Sequence, residues 1–582
     1  MMNSNLRRTL IATTSLIVLS GCGANDIASP GTGGNVTINN NTTNVTPAPT
    51  PAPTPTPTPT VALVTPAAGC PTVSNTSGPG TLLTDSGTIS GPTGTYRVCT
   101  LPARIIAPAA PNGTIPSVTV TLPRLAGVLY QMNGRVDVGN DQGATTTGTT
   151  NVVLAIEPGV ILFAGTGTSW LAVNRGNSIQ AVGTPTQPII FTSRDNVQGL
   201  NTETSTGQWG GVVLMGRAQT TDCSASAATP GTTACERQTE GAIDPAVYGG
   251  ANNTESSGRI SFAQIRYSGF VLSGNSELQS LTTSSIGSAT VLNNIMSYNS
   301  SDDGAEFFGG RVNMRFFISV GAEDDNLDTD TGVKANFQYV LIAQRSGTES
   351  RGTDAIIEAD SDNAVDGNLP RQNTIVSNFT FLHRVNNASA SAAILLRGGT
   401  DYSLLNGFVL ATPSPSCLRI SRANTAATAA SLGINATNQN VAGAATGNDE
   451  LGAPVFRSVQ MQCGATPFSG INTVTAADVS AIFGAGTNNN SATYTPSFTN
   501  TFINGATETA VAAFNPLNVH AASGMPTTAL DRGGQPAFFD AVTYAGAVRD
   551  AADTWYTQWT CNSAALNLGT GNTGMCTSLP TF

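Results

Sequence analysis

Asp302, Asp303 and Glu306 sit almost together, and Asp324, Asp325, Asp328 and Asp330 follow about 22 residues later. Carboxylates gathered at one place repel unless a cation sits among them, and Ca²⁺ takes about six to eight hard oxygen ligands. Ca²⁺ is therefore the one cofactor expected, with Asp324, Asp325, Asp328 and Asp330 as its ligands. Asp302, Asp303, Glu306 and Asp325 would form the binding surface around it. The neighbouring carboxyls of Asp302 and Asp303 could alternatively act as general acid and base in glycoside hydrolysis, if held several ångströms apart. The same side chains would also serve simply to cap turns and solvate an edge. The first two readings require the two segments to be stacked by the fold.

Other constellations are weaker. The alternate spacing of Asp324, Asn326, Asp328 and Asp330 resembles an EF-hand loop, yet Thr331 stands where that loop needs glycine and no glutamate follows at the required distance. No Gly-His-Gly or Arg-x-Lys pair resembling pectinase motifs occurs, and Lys334 is the only lysine, so a lyase base would have to be that residue or an arginine. His383 stands alone in Phe381-Leu382-His383 and reads as a hydrogen-bonded structural residue. Trp209, before Gly210-Gly211, reads as packing a coil corner; Trp555 and Trp559 would share a helical face and cover the last coil. No phosphate loop or Gly-x-Ser-x-Gly element appears, so no catalytic residue is assigned beyond the alternative pair.

The elements that must position these carboxylates are short strands. Runs such as Val153-Leu154-Ala155-Ile156, Trp170-Leu171-Ala172-Val173 and Ile189-Ile190-Phe191-Thr192 are bounded by Gly, Pro and Asn, and none is long enough for a buried helix. Residues 290–297, 312–320 and 335–343 recur at about 22 residues, the interval of one solenoid coil. Strict alternation places Val312, Met314, Phe316 and Ile318 on one face and Asn313, Arg315, Phe317 and Ser319 on the other. Strands at coil spacing without intervening helices predict an all-β right-handed parallel β-helix with capping segments and loop insertions. An antiparallel sandwich or propeller is the rival. Its hairpin signals, such as Asn406-Gly407, fall at no regular period.

The predicted organisation is a leader over 1–21, a linker over 22–66, a β-rich cap with first coils over 67–150, the β-helix over 151–480 and a C-terminal cap over 481–582. Insertions are expected at 220–248 and in the acidic stretch 349–368. Charged residues make up only 10% and glycine numbers 62, which suits strands and turns and leaves almost no helix. Eight of the nine cysteines fall into sequence neighbours: Cys70 with Cys99, Cys223 with Cys235, Cys417 with Cys463, and Cys561 with Cys576. Such an even set fits disulfide staples in an oxidising compartment.

The ninth, Cys22, closes Leu19-Ser20-Gly21-Cys22 behind Arg7, Arg8 and an apolar run, which resembles a bacterial lipoprotein signal. That resemblance implies cleavage before Cys22, lipidation of its thiol and a membrane contact through the lipid alone. Gly23, where an inner-membrane retention signal would resemble Asp, directs the expectation to the outer membrane, with the head facing the periplasm or the cell surface. In residues 47–60 every second residue is proline, with Thr or Ala between, a semi-rigid polyproline II spacer. Losing Arg7 and Arg8 with the leader leaves 23 basic against 36 acidic residues, a formal charge of −13. That sign excludes nucleic acid as a partner.

Residues 188–193, the Trp209-Gly210-Gly211-Val212-Val213-Leu214 run, the segments 302–310 and 324–332, and the tail motifs Tyr544-Ala545-Gly546-Ala547 and Trp555-Tyr556-Thr557-Gln558-Trp559-Thr560 resemble a family of exported bacterial β-helix proteins. These are lipoproteins and surface proteins of sphingomonad-type and Bacteroidetes bacteria. The resemblance covers about half the body and implies a fold and an export route, with no activity to carry over. The functional expectation is a lipid-anchored protein whose β-helix head binds a glycan, a surface layer or an envelope protein, including service beside an outer-membrane transporter. The alternative is a polysaccharide-active enzyme using the acidic cluster.

Overall fold

The computed structural model describes residues 62–582 except 75–80, 107–116, 146–151, 243, 274–275, 347–354, 362–369, 385–391, 412–415, 422–453, 473, 487 and 519–537. The leader, Cys22 and the Thr-Pro tract lie outside the described residues. Short apolar runs broken by glycine turns cannot bury themselves singly, so each stacks on the next in parallel register. Val118–Leu122, Val128–Met132 and Arg135–Val138 make one three-sided coil. Val152–Ile156, Ile161–Ala164 and Trp170–Val173 stack directly on them. The fold is a right-handed parallel β-helix whose two long sheets run through every later coil.

From Gly258 onward the first two sides of each coil merge into one long strand: Gly258–Arg266, Val291–Tyr298, Arg311–Val320, Lys334–Ala343, Asn373–His383, Asp401–Ala411 and Val455–Gln462. Each bends at one left-handed residue, Phe262, Asn294, Phe316, Tyr339, Asn378, Asn406 or Ser458, with φ between 50° and 63°. Ladder register stacks these bends in one column. A left-handed residue resets the pleat, so the alternation expected across Phe316 fails: Val312, Met314 and Phe317 share the interior, while Ile318 joins a second apolar cluster outside. Asn406-Gly407 is likewise such a bend inside a strand. Asn tolerates this conformation; Phe316 and Tyr339 carry a cost of about 1–2 kcal/mol each. Their rings stack at 4.8 Å and 10°, which offsets part of it.

Of the cap expected over 481–582, only the residues up to about 494 close the last coil, with the Met461 N–H donating to Ser491 and the Ser491 N–H to Val459. The last coil is closed by the helix Ala476–Phe483, whose Phe483 ring packs on Phe456 and Phe468 at 5.4 and 5.3 Å. The chain beyond then runs back along the outer side of the solenoid as a strap, held at nearly every bend. Ser458 Oγ donates to the Ala512 carbonyl at 2.8 Å, Asn406 Nδ2 to Phe514 at 2.7 Å and Asn378 Nδ2 to Tyr544 at 3.0 Å. Tyr339 donates to Asp540, Phe316 packs on Trp555, and Phe262 meets Trp559 edge-on. Trp555 and Trp559 therefore cover middle coils rather than the last one, in a segment with no helix. The left-handed bends expose side chains to which the returning strap binds. Beneath it, Met296, Tyr298, Ile318, Val320 and Leu341 are buried against Phe502, Tyr556, Trp559 and Leu568.

Four disulfides staple the described residues: Cys70–Cys99, Cys223–Cys235, Cys417–Cys463 and Cys561–Cys576. Cys223–Cys235 closes the 220–248 insertion, which ends in a small antiparallel pair, Arg237–Gln238 with Val247–Tyr248.

An acidic face as the candidate functional site

The third side of the coils carries Leu281–Ser284, Ala305–Phe308, Leu327–Asp330 and Ile357–Ala359 in parallel register. Ala305, Phe307, Leu327, Ile357 and Ala359 point into the core, so period-two alternation turns Glu306, Asp328 and Glu358 outward as register partners. Two residues further on, Asp330 and Asp360 follow the same direction. At the corner leading into this side, the Asp325 N–H donates to Asp303 Oδ1 at 2.9 Å. Parallel stacking has aligned acidic residues of three consecutive coils into one ladder.

Two groups of three carboxylates result. Asp302, Asp303 and Asp324 bring oxygens within 4.8 Å of one another, as do Asp303, Glu306 and Asp328. Asp303 belongs to both and is buried. Asp325 and Asp330, expected as ligands beside Asp324 and Asp328, are engaged elsewhere. Asp325 Oδ1 accepts the Ala355 N–H at 2.6 Å, and Asp330 accepts its neighbour Thr331's N–H and faces Asp360. Arg397 is the cation at the far end of the ladder, pairing with Glu358 and, at 3.2 Å, with Asp360.

Burial, and crowding behind it, leave Asp302, Asp303, Glu306, Asp325, Asp328, Asp330 and Asp360 reluctant to ionise. Burial, then the charges of Asp324, Glu277 and Glu240, pushes the Asp302 carboxyl up to about 8. Burial first and neighbouring carboxylates second hold Asp303, Glu306, Asp325, Asp328 and Asp360 well above the usual carboxylate range. Asp330 is raised as well, again chiefly by burial. A site of this kind holds protons or hard cations, and a divalent ion is the more effective neutraliser because its charge meets several oxygens at once.

A protein-family model described as the pectate-lyase like beta helix domain matches residues 114–499, which contain the whole ladder. The chain belongs to this pectate-lyase-like β-helix family. No curated protein and no solved structure matches.

On this pectate-lyase-like β-helix the sequence reading missed Glu358, Asp360 and Arg397. The stretch 349–368 was expected as a loop insertion, but Ile357–Ala359 is a strand of the coil itself. The remainder of that stretch, 349–354 and 362–368, lies outside the described residues. A signal was present: Ile356-Ile357-Glu358-Ala359-Asp360 alternates as Leu327-Asp328-Thr329-Asp330 does. Trp209 is fully buried, its indole N–H donating to the Arg266 carbonyl at 2.8 Å, and His383 is buried at the end of its strand.

Proposed function

We propose that the protein is a lipid-anchored outer-membrane lipoprotein whose β-helix head binds an envelope glycan or surface layer through Ca²⁺ held on the acidic face. The observation carrying this reading is the pair of carboxylate triads joined at Asp303. A cation there neutralises the repulsion and leaves coordination positions for oxygens of an acidic ligand. The lipoprotein-like start at Cys22 and the Thr-Pro spacer support the anchored setting. A second reading, a polysaccharide-active enzyme, is favoured by the family's likeness to pectate lyases and by the raised carboxyl of Asp302, a candidate general acid beside Asp303. Oxygens within 4.8 Å are too close for the roughly 6.5–9.5 Å gap of an inverting pair but near the roughly 5–5.5 Å of a retaining one, so the spacing favours the cation over inversion alone.

The deciding experiment incubates the full chain with acidic and neutral polysaccharides, in Ca²⁺ and in EDTA, and follows both retention and product release. Ca²⁺-dependent retention without products, lost in Asp303→Asn, supports the binding protein. Product release abolished by Asp302→Asn or Asp303→Asn replaces it with the enzyme.

A further inference from the structure

A cavity of about 390 Å³ lies away from the acidic ladder, where the strand ends at Leu382, Leu410 and Gln462 meet residues 496–501 of the strap. Arg384 lines it, half-buried. Its side chain makes one hydrogen bond, to the Ala565 carbonyl, and pairs with no carboxylate among the described residues. Burial alone lowers its proton affinity, with no acidic neighbour working against it. Arg266, Arg419 and Arg457 are likewise buried or half-buried without an acid, so what sets Arg384 apart is its place in the wall of a cavity. The Gln462 amide, the His383 imidazole and the exposed Thr501 hydroxyl also line the cavity. Phe498, Pro496 and Leu410 supply apolar wall.

We infer that this cavity is a binding site for a small carboxylate, gripped by the Arg384 guanidinium, with its body against Phe498 and its polar groups read by Gln462 and Thr501. A planar guanidinium matches a carboxylate with two parallel N–H donors, and a few convergent polar groups on an apolar wall are the usual makeup of a small-ligand pocket. The volume admits a ligand of sugar or dipeptide size. The carboxylate could belong to a sugar acid or to a peptide C-terminus, and the two sources call for different probes. This site does not depend on the cation reading, since none of its residues belongs to the ladder.

The test is ligand-observed NMR on the full chain in EDTA, with glucuronate, acetyl-alanyl-alanine and glucose as probes. Binding of either acid, with glucose at least about tenfold weaker, supports the site, and whichever acid binds more tightly identifies the source. Arg384→Gln is expected to weaken the acid about tenfold or more, and Thr501→Val to weaken it less, with Arg384→Gln also melting somewhat lower because the Ala565 carbonyl loses its donor. Should Arg384→Gln fail to fold, the acid-versus-glucose comparison and Thr501→Val still decide. No binding of either acid, equal binding of glucose, or unchanged affinity in a folded Arg384→Gln protein overturns the inference.

Discussion

Removing divalent cations should turn the acidic ladder into a pH-dependent liability whose sign is opposite to ordinary acid denaturation. The Asp302 carboxyl rises from 3.8 to about 8 on folding. A raised acid stabilises the folded state fully below its unfolded value, and that contribution is lost as pH climbs through the folded one. Each pH unit is worth about 1.4 kcal/mol per proton. For Asp302 alone the loss between about pH 5 and pH 8 is about 4 kcal/mol, or on the order of 2 after screening of its partly exposed side chain. Asp303, Glu306, Asp325, Asp328 and Asp360 act in the same direction. Ordinary carboxylates stay ionised across this window, while Glu255, which burial pushes up to about 7, adds in the same direction outside the ladder, so Asp302→Asn isolates the ladder's share. Calorimetric melting in EDTA should show a transition several degrees higher near pH 5 than near pH 8. Millimolar Ca²⁺ should flatten the difference, and Asp302→Asn should raise the EDTA transition near pH 8 while reducing the Ca²⁺ response. A wild-type transition in EDTA that is flat or falls on acidification, with Asp302→Asn indistinguishable, would mean that the ladder carries no such proton linkage.

Asn406→Ala removes both hydrogen bonds to Phe514, at 2.7 Å each, and places alanine at φ 56°. It should cost about 2–4 kcal/mol, read as a lower melting temperature, with increased dye binding as the strap loosens. Replacing Cys561 and Cys576 by serine opens a loop of 15 residues and should cost about 3 kcal/mol, measured against the wild type without reductant. Asp401→Asn removes the negative charge that the fully buried Arg371 meets at 2.6 Å and should cost about 3–5 kcal/mol. An Asp401→Asn protein as stable as wild type would show that the pair contributes little.

The coil architecture was legible because three strands recur at about 22 residues with few interruptions. That interval alone places Glu306 opposite Asp328. Glu358 was not legible from it, since the next coil is lengthened by residues between Ala343 and Ile357 and the period breaks. Alternation failed at Phe316 because a left-handed bend leaves no trace in an apolar residue; the asparagines at 294, 378 and 406 were the readable signal for that column. The strap was invisible for another reason. Its contacts join residues far apart in sequence, such as Gln264 with Trp559 at 2.6 Å, and no local pattern encodes them. The disulfide couples were readable because each joins sequence neighbours, the widest 46 residues apart.

Calorimetric titration of Ca²⁺ into the full chain, wild type and Asp303→Asn side by side, reads the proposed cation site itself. The two triads share Asp303, so the account predicts saturable Ca²⁺ binding in the wild type that Asp303→Asn abolishes or weakens by about tenfold or more. No saturable binding in the wild type, or the same isotherm from a folded Asp303→Asn protein, contradicts it.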